Sequence, residues 1–201
     1  MKKIKVMIFI SGRGSNMESI IRSVHIGGLK ELCEVVGVVS DKTGAPGITK
    51  AQAWGVPCFV VESKRKSRET FDNELVSLLK PMDVDYIILA GFDRILSPVL
   101  INIYKDRIIN IHPADSRIYQ GLHGYQWAFE NHLNKTKITV HLVDEGIDTG
   151  KIIGQKEVDL PGCTTIDEAE QRGLAIENIF YSEVLEKYFR KKLEEIKYTK
   201  E

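Results

Sequence analysis

The sequence predicts an α/β protein in which a doubly wound, mostly parallel sheet carries an antiparallel C-terminal hairpin and a closing helix. Three observations predict it. Short apolar runs alternate with helix-period segments from the first residues onward, which is the pattern of βαβ units. Two β-patterned runs, 138–143 and 152–158, are joined by an acidic, glycine-containing turn and read as a hairpin. The longest helical pattern, 166–192, comes last.

The elements follow in order. Ile4-Lys5-Val6-Met7-Ile8-Phe9-Ile10 reads as a buried strand, and Met17, Ile20, Ile21 and Val24 recur after it at helical spacing. Residues 35–39 are a second strand, ended by Ser40-Asp41-Lys42. A short helix over 48–54 is broken by Gly55-Val56-Pro57 before a third strand, 58–61. Phe71, Leu75, Leu78 and Leu79 mark the next helix, with Pro81 just past its end. Residues 86–90 and 107–111 are the fourth and fifth strands. Crossovers between parallel strands are right-handed, so residues 4–111 form a Rossmann-like half. In the closing helix Ile176, Phe180, Val184 and Tyr188 share one stripe, and the polar tail 194–201 is expected to fray. No repeat or linker divides the chain, so 1–201 reads as a single domain.

Composition limits the function. Lys plus Arg equals Asp plus Glu, 28 each, so the formal net charge is zero. That balance argues against a nucleic-acid partner. No apolar run approaches the ~20 residues of a membrane span. The apolar run 4–10 has the length of a short signal-peptide core, but no small-residue cleavage site follows it, so no signal peptide is expected. The cysteines Cys33, Cys58 and Cys163 are odd in number and widely spaced, so neither a disulfide framework nor a metal pattern is expected. They read as small buried residues of a cytoplasmic protein. Monomer and homodimer are both compatible with the sequence.

The chemistry concentrates in a few segments. Asn110-Ile111-His112-Pro113 ends the fifth strand, and open α/β sheets place ligands at such ends. An imidazole moves a proton, an amide donates to an oxyanion, and a carboxylate orients and charges the imidazole. Asp144 and Asp148, in Asp144-Glu145-Gly146-Ile147-Asp148-Thr149-Gly150, are candidates for that carboxylate. Asp148, with Gly146 and Gly150 two residues to either side, is the better placed for a sharp inward turn. Ser11-Gly12-Arg13-Gly14-Ser15-Asn16 joins the first strand to the first helix. A glycine turn opening a helix suits an anion, and its spacing fits a phosphate monoester rather than a dinucleotide. Gly91-Phe92-Asp93-Arg94-Ile95-Leu96 follows the fourth strand, where Phe92, Ile95 and Leu96 can wall a pocket for a flat ligand. The connection 112–123 is long and irregular, as functional loops often are. His25 and His132 read as surface residues, and His141 as a satisfied packing residue. No pair shows metal-ligand spacing, so no metal is expected.

Those four segments, in that order, resemble the folate-dependent formyltransferases, and the resemblance covers roughly residues 4–190. It implies transfer of a formyl group from 10-formyltetrahydrofolate, as co-substrate, to the amine of 5-phosphoribosyl-glycinamide in purine biosynthesis. By match it makes Asn110, His112 and Asp148 catalytic. It assigns Gly14, Ser15 and Asn16 to the ribotide phosphate and Glu177 to its sugar. Arg68, Asp93, Arg94, Ile95, Leu96 and Asn110 become folate contacts. The implied mechanism has a protonated His112, with its pKa raised by Asp148. The alternatives are formyl transfer to another amine such as a sugar nucleotide, a formyltetrahydrofolate hydrolase, and a non-catalytic nucleotide-binding module.

The sequence departs from the family at three places. Ser-Leu-Leu-Pro after the His-Pro pair is replaced by Ala114-Asp115-Ser116-Arg117, a common Met by Asp93, and a Glu-His pair by Glu177-Asn178. If the ribotide is the acceptor, Asp115 and Arg117 should face solvent or pair with each other. Otherwise they should touch the acceptor.

Overall fold

The computed structural model describes residues 2–198. Its elements are β1 (Ile4–Ile10), α1 (Ser15–Ile26), β2 (Cys33–Ser40), α2 (Pro46–Ala53), β3 (Cys58–Val60), α3 (Arg68–Leu79), β4 (Tyr86–Leu89), α4 (Pro98–Ile103), β5 (Ile108–His112), α5 (Gly124–Glu130), β6 (Lys135–Leu142), β7 (Ile152–Asp159) and α6 (Ile166–Tyr198). The seven strands form one sheet in the order β3-β2-β1-β4-β5-β6-β7. The first five run parallel, and β6 and β7 are antiparallel additions at one edge.

Burial on both faces explains the apolar runs. Along β1, Val6, Ile8 and Ile10 join one core cluster, while Met7 and Phe9 join the other. A strand covered on both faces reads as continuous rather than alternating. The first cluster is closed by Met17, Ile20 and Ile21 of α1 and by α6, and the second by Phe71, Leu75 and Leu79 of α3. The buried seam of α6 is Tyr181, Leu185 and Phe189, with Phe180 and Val184 beside it and Ile176 and Tyr188 only partly buried. The expected stripe is therefore off centre by one residue. α6 also runs through Tyr198 rather than ending at Lys192. Of the expected frayed tail, 194–198 is helical and 199–201 lies outside the described residues. The Tyr181 hydroxyl reaches across the sheet, donating to the carbonyls of Leu89 (3.1 Å) and Ile109 (2.9 Å) and tying α6 to β4 and β5.

Two helices have no counterpart in the sequence reading. α4 has 6 residues and α5 has 7, too few turns for an apolar period to register. No helix among the described residues is long and apolar enough to cross a membrane.

Candidate active site

β1 and β4 are neighbours, but the chain leaves them toward opposite edges of the sheet. The crevice beyond their C-terminal ends is the point where open α/β sheets bind ligands. Here it is a cavity of about 730 Å³, walled by the loop after β1, the loop after β4, the end of β5, the 144–148 turn and α6. That volume suits a small-molecule site. Two hydrogen bonds cross-link the first two loops: Ser11 N–H to the Gly91 carbonyl (2.8 Å) and Asp93 N–H to Ser11 Oγ (2.9 Å).

Strand pairing assembles the polar centre. In the β5–β6 register Asn110 lies opposite His141, and His112 opposite Thr139, so their side chains share one face of the sheet. Asp148, at φ 53°, turns its carboxylate into this group. Its Oδ1 lies 3.3 Å from both Asn110 Nδ2 and His141 Nε2. Its Oδ2 lies 3.4 Å from His112 Nδ1 and accepts from Gly121 N–H at 2.9 Å. Asp144 does not join them: it is exposed, and its Oδ1 accepts from Gly146 N–H and Thr149 Oγ1 within its own turn. His141, read as a packing residue, is instead a member of the cluster, because the register carries it there. Among the described residues no three His, Cys, Asp or Glu side chains are placed to hold a metal ion.

Hydrogen-bond partners fix the tautomers. A carbonyl only accepts, so the 2.9 Å contact between His112 Nε2 and the Tyr119 carbonyl places a hydrogen on Nε2. Likewise the Leu142 carbonyl, 2.8 Å from His141 Nδ1, places a hydrogen there. His112 therefore gains or loses its second proton at Nδ1, the atom facing Asp148. Burial pulls the His112 pKa down, while the Asp148 charge and the Tyr119 carbonyl pull it up and His141 pulls it down. The net direction is below the ordinary 6.5. This corrects the expectation of a raised His112 pKa: the carboxylate is present, but loss of hydration outweighs it. For Asp148 burial acts upward, yet the His141 bond, the Gly121 N–H and the two imidazoles together hold it below its ordinary value.

A stability prediction follows from the His112 shift. With a lowered folded-state pKa, the unfolded chain binds more protons just below pH 6.5. The contribution of this site is thus complete above 6.5 and is lost as pH falls through the folded value. The Asp148 contribution persists to lower pH and is lost only as pH falls through its own depressed value. Thermal melting between about pH 7.5 and about pH 5.5 should show Tm falling on acidification, and His112→Gln should flatten that slope by at most about 1.4 kcal/mol per pH unit, one proton's worth. An unchanged slope in the variant would remove His112 as its cause.

At the other end of the cavity, Gly14 occupies the N-cap of α1 at φ 67°, and no side chain caps the helix. The uncapped N–H groups of the first turn are the feature that favours an anion. Asn16 is buried and its Nδ2 donates to Glu177 Oε2 at 2.7 Å, while Tyr125 Oη donates to Glu177 Oε1 at 2.6 Å. Burial raises the Glu177 pKa against those two bonds. Asn16 Oδ1 is buried without a protein partner, an acceptor left for a ligand's donor. Sequence reasoning missed Tyr125, which sits in the unforeseen α5.

The residues matched to folate contacts divide. Asp93, Arg94, Ile95, Leu96 and Asn110 line the cavity, together with Phe92. The Arg94 guanidinium points away, donating to the carbonyls of Ser63 (3.2 Å) and Lys66 (3.3 Å) over the Phe71 ring. The Asp93 carboxylate pairs with Lys42 at 2.5 Å. Arg68, the first residue of α3, is exposed and is not part of the cavity wall. Asp115 and Arg117 also lie outside the wall, and they pair with each other at 3.3 Å.

The sequence profile described as "Formyl transferase" matches residues 4–185. The chain is 35% identical to the phosphoribosylglycinamide formyltransferase of Bacillus subtilis over 185 residues, which is 90% of this chain and 92% of that one. It is 41% identical over 160 residues to the trifunctional purine biosynthetic protein adenosine-3 of Drosophila pseudoobscura pseudoobscura, covering 79% of this chain but only 12% of that protein's length. The crystal structure of phosphoribosylglycinamide formyltransferase from Bacillus halodurans superposes with a TM-score of 0.87 at 36% identity, over 92% of this chain and 94% of that one.

Proposed function

This chain belongs to the formyl transferase family, and we propose that it transfers a formyl group from 10-formyltetrahydrofolate to the amine of 5-phosphoribosyl-glycinamide. One observation carries this reading: an uncapped helix N-terminus and a His–Asp–Asn cluster face the same cavity. The first suits a phosphate. The second suits acyl transfer to an amine. The relatives named for the same reaction agree with it.

In this reading the ribotide phosphate sits on Gly14, Ser15 and Asn16, and its sugar hydroxyls meet Glu177 and the free Asn16 Oδ1. The folate lies along 91–96, with Phe92, Ile95 and Leu96 against its flat ring. Arg68 takes part only if folate extends past the cavity wall to α3. The acceptor amine attacks the formyl carbon and a tetrahedral oxyanion forms. Asn110 Nδ2 turns to that oxyanion. Its present bond to Asp148 Oδ1, 3.3 Å, is long and cheap to exchange for a charge-assisted one. His112, neutral before the reaction, takes the proton the amine sheds at Nδ1. Asp148 stabilises the imidazolium until the proton passes to the leaving folate nitrogen. We assign this chemistry to one domain acting in the cytoplasm as a monomer or homodimer.

The test is an assay of labelled 10-formyltetrahydrofolate with and without phosphoribosylglycinamide. Label should move to the ribotide. Release of formate alone points to the hydrolase, transfer to a sugar-nucleotide amine to another acceptor, and no consumption to a binding module.

The phosphate loop has its own test. Gly14 is unsuited to it, because its positive φ and a Cβ 3.0 Å from Gly47 Cα make any side chain there a folding problem. A Cβ on Gly12 meets nothing within 4 Å. Gly12→Ala should keep Tm within about 2 °C. It should raise the acceptor KM roughly tenfold by adding a methyl where the phosphate approaches, and leave the folate KM unchanged. An unchanged acceptor KM would move the phosphate elsewhere.

A further inference from the structure

Asp115 is a charged residue that is 7% exposed yet stands outside the cavity wall. Buried carboxylates are kept only where partners replace water. Asp115 Oδ1 accepts from Arg117 N–H (3.2 Å), Arg117 Nε (3.3 Å) and Gln155 Nε2 (3.1 Å), and Oδ2 accepts from Lys137 Nζ (2.8 Å). Lys137 is on β6 and Gln155 on β7, so the carboxylate fastens the chain after β5 to the hairpin. Thr139 reinforces the joint: its hydroxyl donates to the Ala114 carbonyl (2.7 Å) and accepts from Ser116 N–H (3.3 Å) and Gln155 Nε2 (3.0 Å).

The same residue sets the next turn. The Asp115 carbonyl accepts from Ile118 N–H (2.8 Å) and Tyr119 N–H (2.9 Å). The Tyr119 carbonyl then holds His112 Nε2, and Gly121 N–H, two residues on, holds Asp148 Oδ2. One short segment therefore grips both members of the His–Asp pair, and its root is the Asp115 joint. Tyr119 also stacks on Trp127 of α5 with centroids 4.7 Å apart, which steadies the far side.

We propose that Asp115 is a positioning residue: by fastening 114–117 to the β6–β7 hairpin it fixes the Tyr119 carbonyl and the Gly121 N–H, and through them the orientation of His112 against Asp148. The role rests on the formyl-transfer reading for its kinetic arm but not for its spectroscopic one. It also gives the charges at 115 and 117 a task that needs no contact with the acceptor.

The experiment follows the His112 imidazole by NMR titration in the ligand-free protein, and in parallel measures kcat and both KM values. Asp115→Ala removes the joint. Asp115→Asn keeps an acceptor for Arg117 and Gln155, and Lys137→Met deletes the cation from the other side. The titratable groups facing His112 are Asp148 and His141, and no variant alters them. Loosening the segment exposes His112, so its titration should move up toward the ordinary value by about 0.5–1 unit in Asp115→Ala. Displacement of the pair should lower kcat about 10–100-fold with both KM values within about threefold. Asp115→Asn should recover part of both effects, because its amide keeps the acceptor at Oδ1 but turns a donor toward Lys137 Nζ where Oδ2 accepted, and Lys137→Met should fall between Asp115→Ala and the unmodified protein. An unmoved His112 titration in folded Asp115→Ala or folded Lys137→Met overturns the proposal and leaves a purely structural joint. A rise in acceptor KM at constant kcat overturns it in favour of direct substrate contact. If the unmodified protein transfers no formyl group, the functional reading fails while the titration still decides this one. If Asp115→Ala does not fold, Lys137→Met carries the same readouts.

Discussion

Asp148→Asn should lower kcat by about 10²–10⁴-fold, the range for loss of a group that assists proton transfer, while the fold and folate binding survive. The substitution removes the charge and turns the oxygen that accepts from Asn110 Nδ2 into a donor amide, with the backbone left as it is. An amide oxygen still accepts from Gly121 N–H, the 2.9 Å bond that holds the turn. What disappears is a negative charge 3.4 Å from His112 Nδ1 and 3.3 Å from His141 Nε2. His112 already sits below 6.5 because it is buried, and the carboxylate is the first of the influences that oppose this. Without it the imidazolium formed during transfer has no counter-ion, and the His112 titration should fall further rather than return to 6.5. The control is Asp144→Asn, which removes a charge from the same turn at an exposed position and should leave kcat within about threefold. Normal turnover in Asp148→Asn, or an inactive Asp144→Asn, would exclude the assigned role.

The difference between those two aspartates was legible in the sequence, and the reason is local. Gly146 and Gly150 bracket Asp148, and the structure gives Asp148 the left-handed backbone that turns it inward. Apolar runs buried on both faces made the parallel strands equally legible. His141 was not legible. Its place follows from pairing with Asn110 across strands far apart in sequence, and no local pattern encodes that register. Had the register been known, counting in twos from Asn110 and His112 would have put His141 and Thr139 on the same face. That the start of α1 is uncapped was not legible either: Ser15 and Asn16 are residues that often cap helices, but Gly14 takes the cap position and no side chain caps the helix. The His112 pKa was misjudged because a partner can be read from sequence and the depth of burial cannot. Arg68 came from matching a motif alone, and the exposed start of α3 lies outside the cavity wall.

The same turn yields the second large effect. Gly150→Ala should destabilise the protein by about 2–4 kcal/mol, lowering Tm by roughly 5–15 °C, and should cost about 100-fold or more in kcat where the variant is still folded. A Cβ at 150 would stand 1.8 Å from the Leu142 carbonyl oxygen and 2.9 Å from its carbon, with Asp144 N at 3.4 Å. These are backbone atoms at the end of β6, and they cannot rotate aside. Leu142 N–H also donates to the Lys151 carbonyl at 2.9 Å, the bond that closes the turn. Relief therefore requires the turn to lift from β6. Asp148 rides on that turn; the one short contact opposing the shift is its 2.9 Å bond from Gly121 N–H, and its contacts of 3.3–3.4 Å to Asn110, His112 and His141 would be given up first. Gly146→Ala separates this from a general intolerance of the loop. There the clash is with Thr149 Oγ1, at 2.0 Å, and Thr149 is exposed and free to rotate once its bond to Asp144 is given up. Its cost should stay near 1 kcal/mol, the worth of one exposed hydrogen bond, with kcat within about fivefold. Thermal melts and steady-state kinetics on the two variants decide it. Full turnover in a destabilised Gly150→Ala would show that catalysis does not depend on where this turn holds Asp148, and the catalytic assignment of Asp148 would fall with it.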